Sequence, residues 1–413
     1  MSDVTPTSDP SCSTGVLEQC LESFTTELTS LGYCAAVVRQ KRATARAFAR
    51  WAVGQGLDVA TIDDATIEAF LADSGVGHPT PKSNRRCTLA RFLARLRAEG
   101  ATFRPEPKRD HSYAALLQER YVTYLLSERG LAEETVASYR LYAAELVRHH
   151  FETAAGPAPA PGLDARAVQD FLLERTRTVA PTTARLVATA LRSFLRFLFL
   201  CGEIRLDLAL AIPTVPTRRQ AGTHPYLCPE EVERLLDACD RKTANGRRDH
   251  AILLLLARLG VRACEVAALE LGDLRWRSGE VVVRGKGQVL EHVPLLPDIG
   301  AALALYLCEG RPKSQCRSVF LRNDAPRVGL SPDGVGFVVR RALARAGLRP
   351  PRRGSHLLRF SLATTMIRRG ASMAEIGEVL RHRSPETTEI YAKVDFEALR
   401  AVALPWVGTG GGR

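Results

Sequence analysis

Residues 279–295 read GEVVVRGKGQVLEHVPL, two β-branched runs on either side of Gly285-Lys286-Gly287. β-branched residues flanking a glycine-bounded turn predict a β-hairpin. The sequence around it is helical in grammar. Upstream, Pro229 at a first helical position opens PEEVERLLDAC, Asp249 is the expected cap of a buried helix AILLLLARL, and Gly260 stops that helix. A short helix follows over 263–269. Downstream, three- and four-residue apolar spacing predicts helices over 335–346, 356–369, 373–381, 385–393 and 396–403. The fold class read from this is mainly α with a small β-sheet.

Three stretches interrupt the periodicity with proline, glycine and charge: RPEPKRD at 104–110, GPAPAPG at 156–162 and PTVPTRRQAGTH at 213–224. Between the first and third, helical spacing recurs over 113–126, 135–147, 165–173 and 182–200, so the second is a loop inside an all-helical domain. The segment before the first break reads as a weaker copy of that domain. TARAFARWAVGQGLDVATIDDATIEAFL sits against ELVRHHF and GLDARAVQDFLLER, and NRRCTLARFLARLRAEG against ARLVATALRSFLRFLFLCGEI. The expected organisation is an N-terminal helical module over 1–105, a helical domain over 111–210, a linker over 211–224, a domain of helices and one small sheet over 225–405, and a flexible tail over 406–413.

With 46% hydrophobic and 25% charged residues, dominant disorder is excluded. The net charge of +12 calls for an anionic partner, nucleic acid or a membrane surface. From 311 to 370 there are 14 lysines and arginines against two acids, so a phosphate-facing surface is expected there. Ten cysteines occur without a Cys-x-x-Cys pair, so the spacing gives neither a zinc site nor a disulfide framework; the cysteines read as small buried hydrophobes. The first residues, MSDVTPTSDPSCST, lack the basic and apolar regions of a secretory signal, and the apolar run at 252–256 is far too short to span a bilayer. The expectation is a cytoplasmic, reduced protein.

The chemistry is carried by dispersed polar residues in a fixed order: Arg262 in LGVRACEVAALELGDL, Lys286 at the hairpin tip, His356 and Arg359 in GSHLLRFSLATTMIRRG, His382 in LRHRSPETTEIY, and Tyr391. A phosphodiester attacked in line gathers negative charge on its nonbridging oxygens, which two permanently charged guanidiniums can bind bidentately. His356 and Arg359, three apart on a helix, share a face. This order and these contexts resemble the tyrosine recombinase family, the phage integrases, over about residues 111–400.

The resemblance implies a helical SAM-like core-binding domain, or two, ahead of an α+β tyrosine recombinase catalytic domain. Arg262, Lys286, His356, Arg359 and His382 match its catalytic positions and Tyr391 its nucleophile, while Glu265 matches an acid that orients the first arginine. It implies breakage and rejoining of double-stranded DNA through a 3′-phosphotyrosyl bond, with no metal and no cofactor, by a homo-tetramer or a hetero-tetramer with related recombinases on synapsis, so as to move or integrate a mobile element, with the N-terminal module as an added DNA-binding unit and no membrane partner. Arg381, Arg352, Arg353, Arg218 and Arg219 are candidate DNA contacts. Three positions depart from the family's habit: Cys228 stands at a helix opening where threonine is common, Phe360 where histidine is frequent, and Arg381 where glycine is frequent. Two other readings share the fold or the chemistry. A noncatalytic DNA-binding helper of the same fold predicts a damaged site, whereas all six positions are filled, and a type IB topoisomerase shares the chemistry but acts as a monomer.

Overall fold

The structure, a computed structural model, describes residues 10–74, 80–102, 112–151, 163–215, 225–285, 289–382 and 388. The chain divides into two units, residues 105–222 and residues 1–104 together with 223–413.

The first of these is helical. α5 (Tyr113–Thr123) continues through a π turn to Glu128 and is followed by α6 (Glu133–Phe151), α7 (Ala165–Thr176) and α8 (Pro181–Leu200). α8 buries Ala184, Val187, Leu191, Phe194 and Leu198, one face at three- and four-residue spacing, against Tyr121 and Leu146.

Residues 10–102 repeat that succession with α1 (Pro10–Ser30), α2 (Ala35–Gly54), α3 (Asp64–Asp73) and α4 (Lys82–Ala98) around Phe24, Phe48 and Phe92. The caps are the same as well. Asp63 accepts the Thr66 N–H at 2.8 Å to open α3, as Asp164 accepts the Ala167 N–H at 2.8 Å to open α7. α4 and α8 both close through a left-handed glycine, Gly100 at φ 71° and Gly202 at φ 73°. Each bundle thus opens its third helix on an aspartate and closes its fourth on a glycine. At the α1–α2 turn the Leu31 carbonyl accepts the Arg327 N–H at 2.9 Å, which joins this bundle to the carboxyl-terminal part of its unit.

That part comprises α9 (Pro229–Asp237), α10 (Ala244–Arg258), α11 (Ala263–Ala267), β1 (Leu274–Arg275), β2 (Glu280–Arg284), β3 (Leu290–Pro294), α12 (Pro297–Glu309), α13 (Pro332–Arg345), α14 (His356–Arg368) and α15 (Met373–Val379). β1, β2 and β3 pair in that order, antiparallel, with Val281 opposite Val293 and Val283 opposite Glu291. α10 is the axis of the core, with Ile252, Leu253 and Leu255 fully buried. The expected helix over 373–381 ends two residues early, and those expected over 385–393 and 396–403 fall, apart from Thr388, outside the described residues. α12 went unanticipated, although Pro297 at its first position and buried Ile299, Leu303 and Tyr306 carry the signal.

Asp249 does not cap α10. The helix begins at Ala244, where the Thr243 hydroxyl accepts the Gly246 N–H at 3.0 Å. Asp249 lies in its second turn, 1% exposed, 2.9 Å from Arg248 and 3.6–3.7 Å from Arg345 and Arg341 of α13. The buried face of these first turns is ionic, so an apolar run cannot mark it. The cysteines also differ from expectation. Cys20 and Cys239 are buried, but Cys34, Cys87, Cys201, Cys264 and Cys308 are exposed. Among the described residues no helix is long and apolar enough to cross a membrane.

Asp249→Ala leaves buried Arg248 without its carboxylate, and removing one partner of a buried pair costs about 3 kcal/mol or more. Urea unfolding of wild type and variant checks this; an unchanged midpoint contradicts it.

Candidate active site

Arg262 follows a tight turn at the end of α10. Gly260 adopts φ +59°, and a Cβ there would lie 2.6 Å from a Leu380 methyl, so the turn needs glycine both for its conformation and for its closeness to α15. Arg262 then stands at the cap of α11. One turn on, the Glu265 carboxylate accepts the Arg262 backbone N–H at 2.8 Å and its Nη1 at 2.6 Å. Glu265 therefore fixes where the arginine starts and where its guanidinium ends.

His356 and Arg359 lie one turn apart at the head of α14. Arg359 is 4% exposed and donates through Nη1 to the Gly260 carbonyl and through Nη2 to the Leu380 carbonyl. A single side chain thus clasps the turn before Arg262 to the segment before His382. α14 is itself anchored at Ser361, whose hydroxyl accepts the Leu227 N–H at 2.8 Å and donates to the Leu357 carbonyl at 2.8 Å.

α15 closes by a paired turn, with the Arg381 N–H donating to Glu378 at 3.0 Å and the His382 N–H to Gly377 at 2.8 Å. Its left-handed residue is Arg381, at φ 55°. A non-glycine residue there costs about 1–2 kcal/mol. The side chain is 9% exposed, with Nη2 2.8 Å from Glu265 and Nε 3.0 Å from Glu291 on β3. His382 Nδ1 lies 2.8 Å from the Thr388 hydroxyl, which is buried.

The electrostatics follow from this packing. His382 is pushed down to about 4 by burial and then by the charges of Arg359, Arg262 and Arg381. His356 is lowered by loss of solvent on its inner side, then by Arg359 and Arg262. Both imidazoles are neutral at pH 7 and able to accept a proton. For Glu265 burial opposes ionisation, but the hydrogen bonds from Arg262 and the charges of Arg381 and Arg262 outweigh it, and its pKa falls.

Arg262, Glu265, His356, Arg359 and His382 are therefore brought together. Lys286 and Tyr391 lie outside the described residues, as do Arg218 and Arg219. The hairpin carrying Lys286 is closed beside it by the Gly285 N–H to the Val289 carbonyl at 2.8 Å. Arg352 and Arg353 are exposed ahead of α14. Arg381, a candidate DNA contact by sequence, has its guanidinium beside two carboxylates. The basic window is likewise only partly a surface, since Arg311 donates to the carbonyls of Cys316, Ser318 and Val319 while Arg317, Arg322 and Arg349 are exposed. Sequence reasoning missed Glu291, whose signal is an acid two residues before Val293, on the inward face of β3.

Residues 225–398 match the family model "Phage integrase family" and 119–201 match "Phage integrase, N-terminal SAM-like domain". A putative integrase/recombinase of Sinorhizobium fredii, y4rA, is 38% identical over 388 residues, 93% of this chain and 93% of its own length. The chain belongs to the phage integrase family. The tyrosine recombinase XerD of Mycobacterium tuberculosis is 32% identical over 71% of this chain and 97% of its own. In fold the chain is similar to the XerH site-specific recombinase, with TM-score 0.59 at 19% identity over 73% of this chain and 98% of that one. The protein is thus a tyrosine recombinase, an enzyme of DNA cleavage and rejoining.

The integrase accommodates its departures locally. At Cys228, where a hydroxyl cap is absent, the Glu231 carboxylate still accepts the Cys228 N–H at 3.0 Å. Phe360 packs with Ala363, Ile367 and Leu380 in the small cluster beneath α14 and α15.

Because the folded-state pKa of Glu265 is depressed, its ionisation stabilises the fold above its unfolded value of roughly 4.3, and that contribution is lost as pH falls through the lower folded value. Glu265→Gln therefore destabilises the protein by about 3 kcal/mol at pH 7, with Arg262 and Arg381 left uncompensated. The gap to wild type narrows as pH is lowered below about 4. Thermal unfolding across pH checks both; a gap independent of pH contradicts the ionised pairing.

Proposed function

We propose that this integrase is a site-specific recombinase of double-stranded DNA in which Tyr391 Oη attacks the scissile phosphorus. The P–O5′ bond breaks as the 3′-phosphotyrosyl bond forms, and the 5′ oxygen leaves as a hydroxyl. The phenolic proton passes to a neutral imidazole, that of His356, and the Lys286 ammonium protonates the departing oxygen. Arg262 and Arg359 bind the nonbridging oxygens where charge gathers, and His382 hydrogen-bonds the same phosphate. The ester energy stays in the covalent bond, so a second strand's 5′-hydroxyl religates without nucleotide or metal.

The observation that carries this reading is the Arg359 clasp, which sets the Arg262 and His382 segments on one point between two neutral imidazoles. The roles of Lys286 and Tyr391 rest on their order and spacing in the sequence. Residues 1–105 serve as an added DNA-binding module and 111–210 as the core-binding domain ahead of the catalytic domain at 225–405. The working assembly is a tetramer of this chain, or a mixed tetramer with related recombinases, formed on synapsis in the cytoplasm to move or integrate a mobile element. A solved tetramer of lambda integrase on a Holliday junction, of like fold with TM-score 0.51, supports the stoichiometry.

On a nicked duplex that traps the covalent intermediate, Tyr391→Phe binds DNA as wild type does and yields no adduct on a denaturing gel; an adduct from this variant would sink the assignment. Arg262→Ala cleaves about 10²- to 10³-fold more slowly. Lys286→Ala is impaired on the ordinary ester yet recovers on a 5′-bridging phosphorothiolate, whose thiolate leaves without a proton. Equal defects on the two substrates demote Lys286 to an electrostatic contact.

A further inference from the structure

We propose that Arg381 is a positioning residue for strand cleavage, holding the acid that orients Arg262 and the hairpin strand β3 in one fixed relation. The inference rests on the assignment of Arg262 as a phosphate ligand. Arg381 occupies the left-handed position that ends α15, a place suited to glycine, so its side chain needs a reason to be there. Its guanidinium is buried between two carboxylates from separate elements, Glu265 of α11 at 2.8 Å and Glu291 of β3 at 3.0 Å. Glu265 in turn holds both the backbone N–H and the guanidinium of Arg262.

The chain of contacts runs Glu291, Arg381, Glu265, Arg262. It ties three segments, and Arg381 itself precedes His382. Gly285, at the edge of the hairpin turn, faces the Glu291 carboxylate at 3.5 Å for a Cβ placed on it, so the anchored acid lies at the base of that turn. A glycine at 381 satisfies the backbone and forms none of these links. The arginine therefore exchanges local conformational ease for a tie between the phosphate-binding arginine and the hairpin. Direct DNA binding would instead show in affinity and its salt slope, which separates the two roles.

The test uses the full-length protein with single-turnover cleavage of a nicked duplex at saturating enzyme, DNA affinity across salt, and thermal unfolding. Arg381→Gly, which keeps the backbone conformation, is expected to cleave about 10-fold more slowly, the scale of a small misplacement of reacting groups. DNA affinity and its salt slope should stay within about two-fold, and Arg381→Lys should recover part of the rate. Glu291→Gln should slow cleavage as well, with the double variant Arg381→Gly/Glu291→Gln no slower than Arg381→Gly alone, because the two act through one link. The acid limb of the rate profile should move to higher pH in Arg381→Gly as Glu265 loses a neighbouring cation.

Wild-type cleavage by Arg381→Gly overturns the proposal. So does a fall in affinity and in the salt slope by about one phosphate, which makes Arg381 a DNA contact. Rate losses that are additive in the double variant and follow the melting temperature reduce it to a stabilising residue, and also overturn the proposal. If Arg381→Gly does not fold, Arg381→Lys and Glu291→Gln carry the same comparison. Arg262→Ala runs alongside: if it cleaves as wild type does, the assignment of the site fails rather than the role of Arg381.

Discussion

The bond from one guanidinium to two backbone carbonyls, Arg359 to Gly260 and to Leu380, is the constraint on which the site depends. A buried cation is tolerated only when its donors are satisfied, and carbonyls satisfy them without neutralising the charge. Arg359 thereby fixes two loops that are remote in sequence. Burial first, and then the charges of Arg359 and Arg262, depress both histidines, so the packing that sets the geometry also sets the protonation state. Gly260 is part of the same constraint, since any side chain there would displace Leu380 and with it the second carbonyl.

Around that clasp sits an ionic layer that the apolar core does not explain. Glu265 is nearly enclosed between Arg262 and Arg381, and Asp249 between Arg248 and the two arginines of α13. Such pairs contribute little net stability relative to apolar packing, but removing one member is costly. They define unique positions for charged groups, and a reaction that stabilises developing charge at one phosphate depends on such positions. Several arginines are thus engaged inside the fold by carbonyls and carboxylates rather than on the exposed surface.

The fold was legible wherever one face was apolar and the ends were marked. α8 and the hairpin strands follow from periodicity, and Pro229 and Gly260 mark boundaries that the structure keeps. Aspartate caps at Asp63 and Asp164 open the third helix of each helical bundle. Reading failed where burial is ionic. Asp249 looked like a cap because its partners on α13 lie nearly a hundred residues away, and the two acids beside Arg381, on α11 and β3, are no more visible in its neighbourhood of sequence. Glu291 was invisible for the same reason. The order of Arg262, His356, Arg359 and His382 was legible, but their common anchor was not, since carbonyl acceptors leave no trace in residue identity.

The most direct test is a crystal structure of the protein on a nicked duplex carrying the scissile phosphate. The account predicts that phosphate within hydrogen-bonding distance of both Arg262 and Arg359, with the Arg359 bonds to Gly260 and Leu380 retained and Tyr391 Oη bonded to phosphorus. A phosphate bound away from Arg262 and Arg359, or an adduct on another side chain, would contradict it.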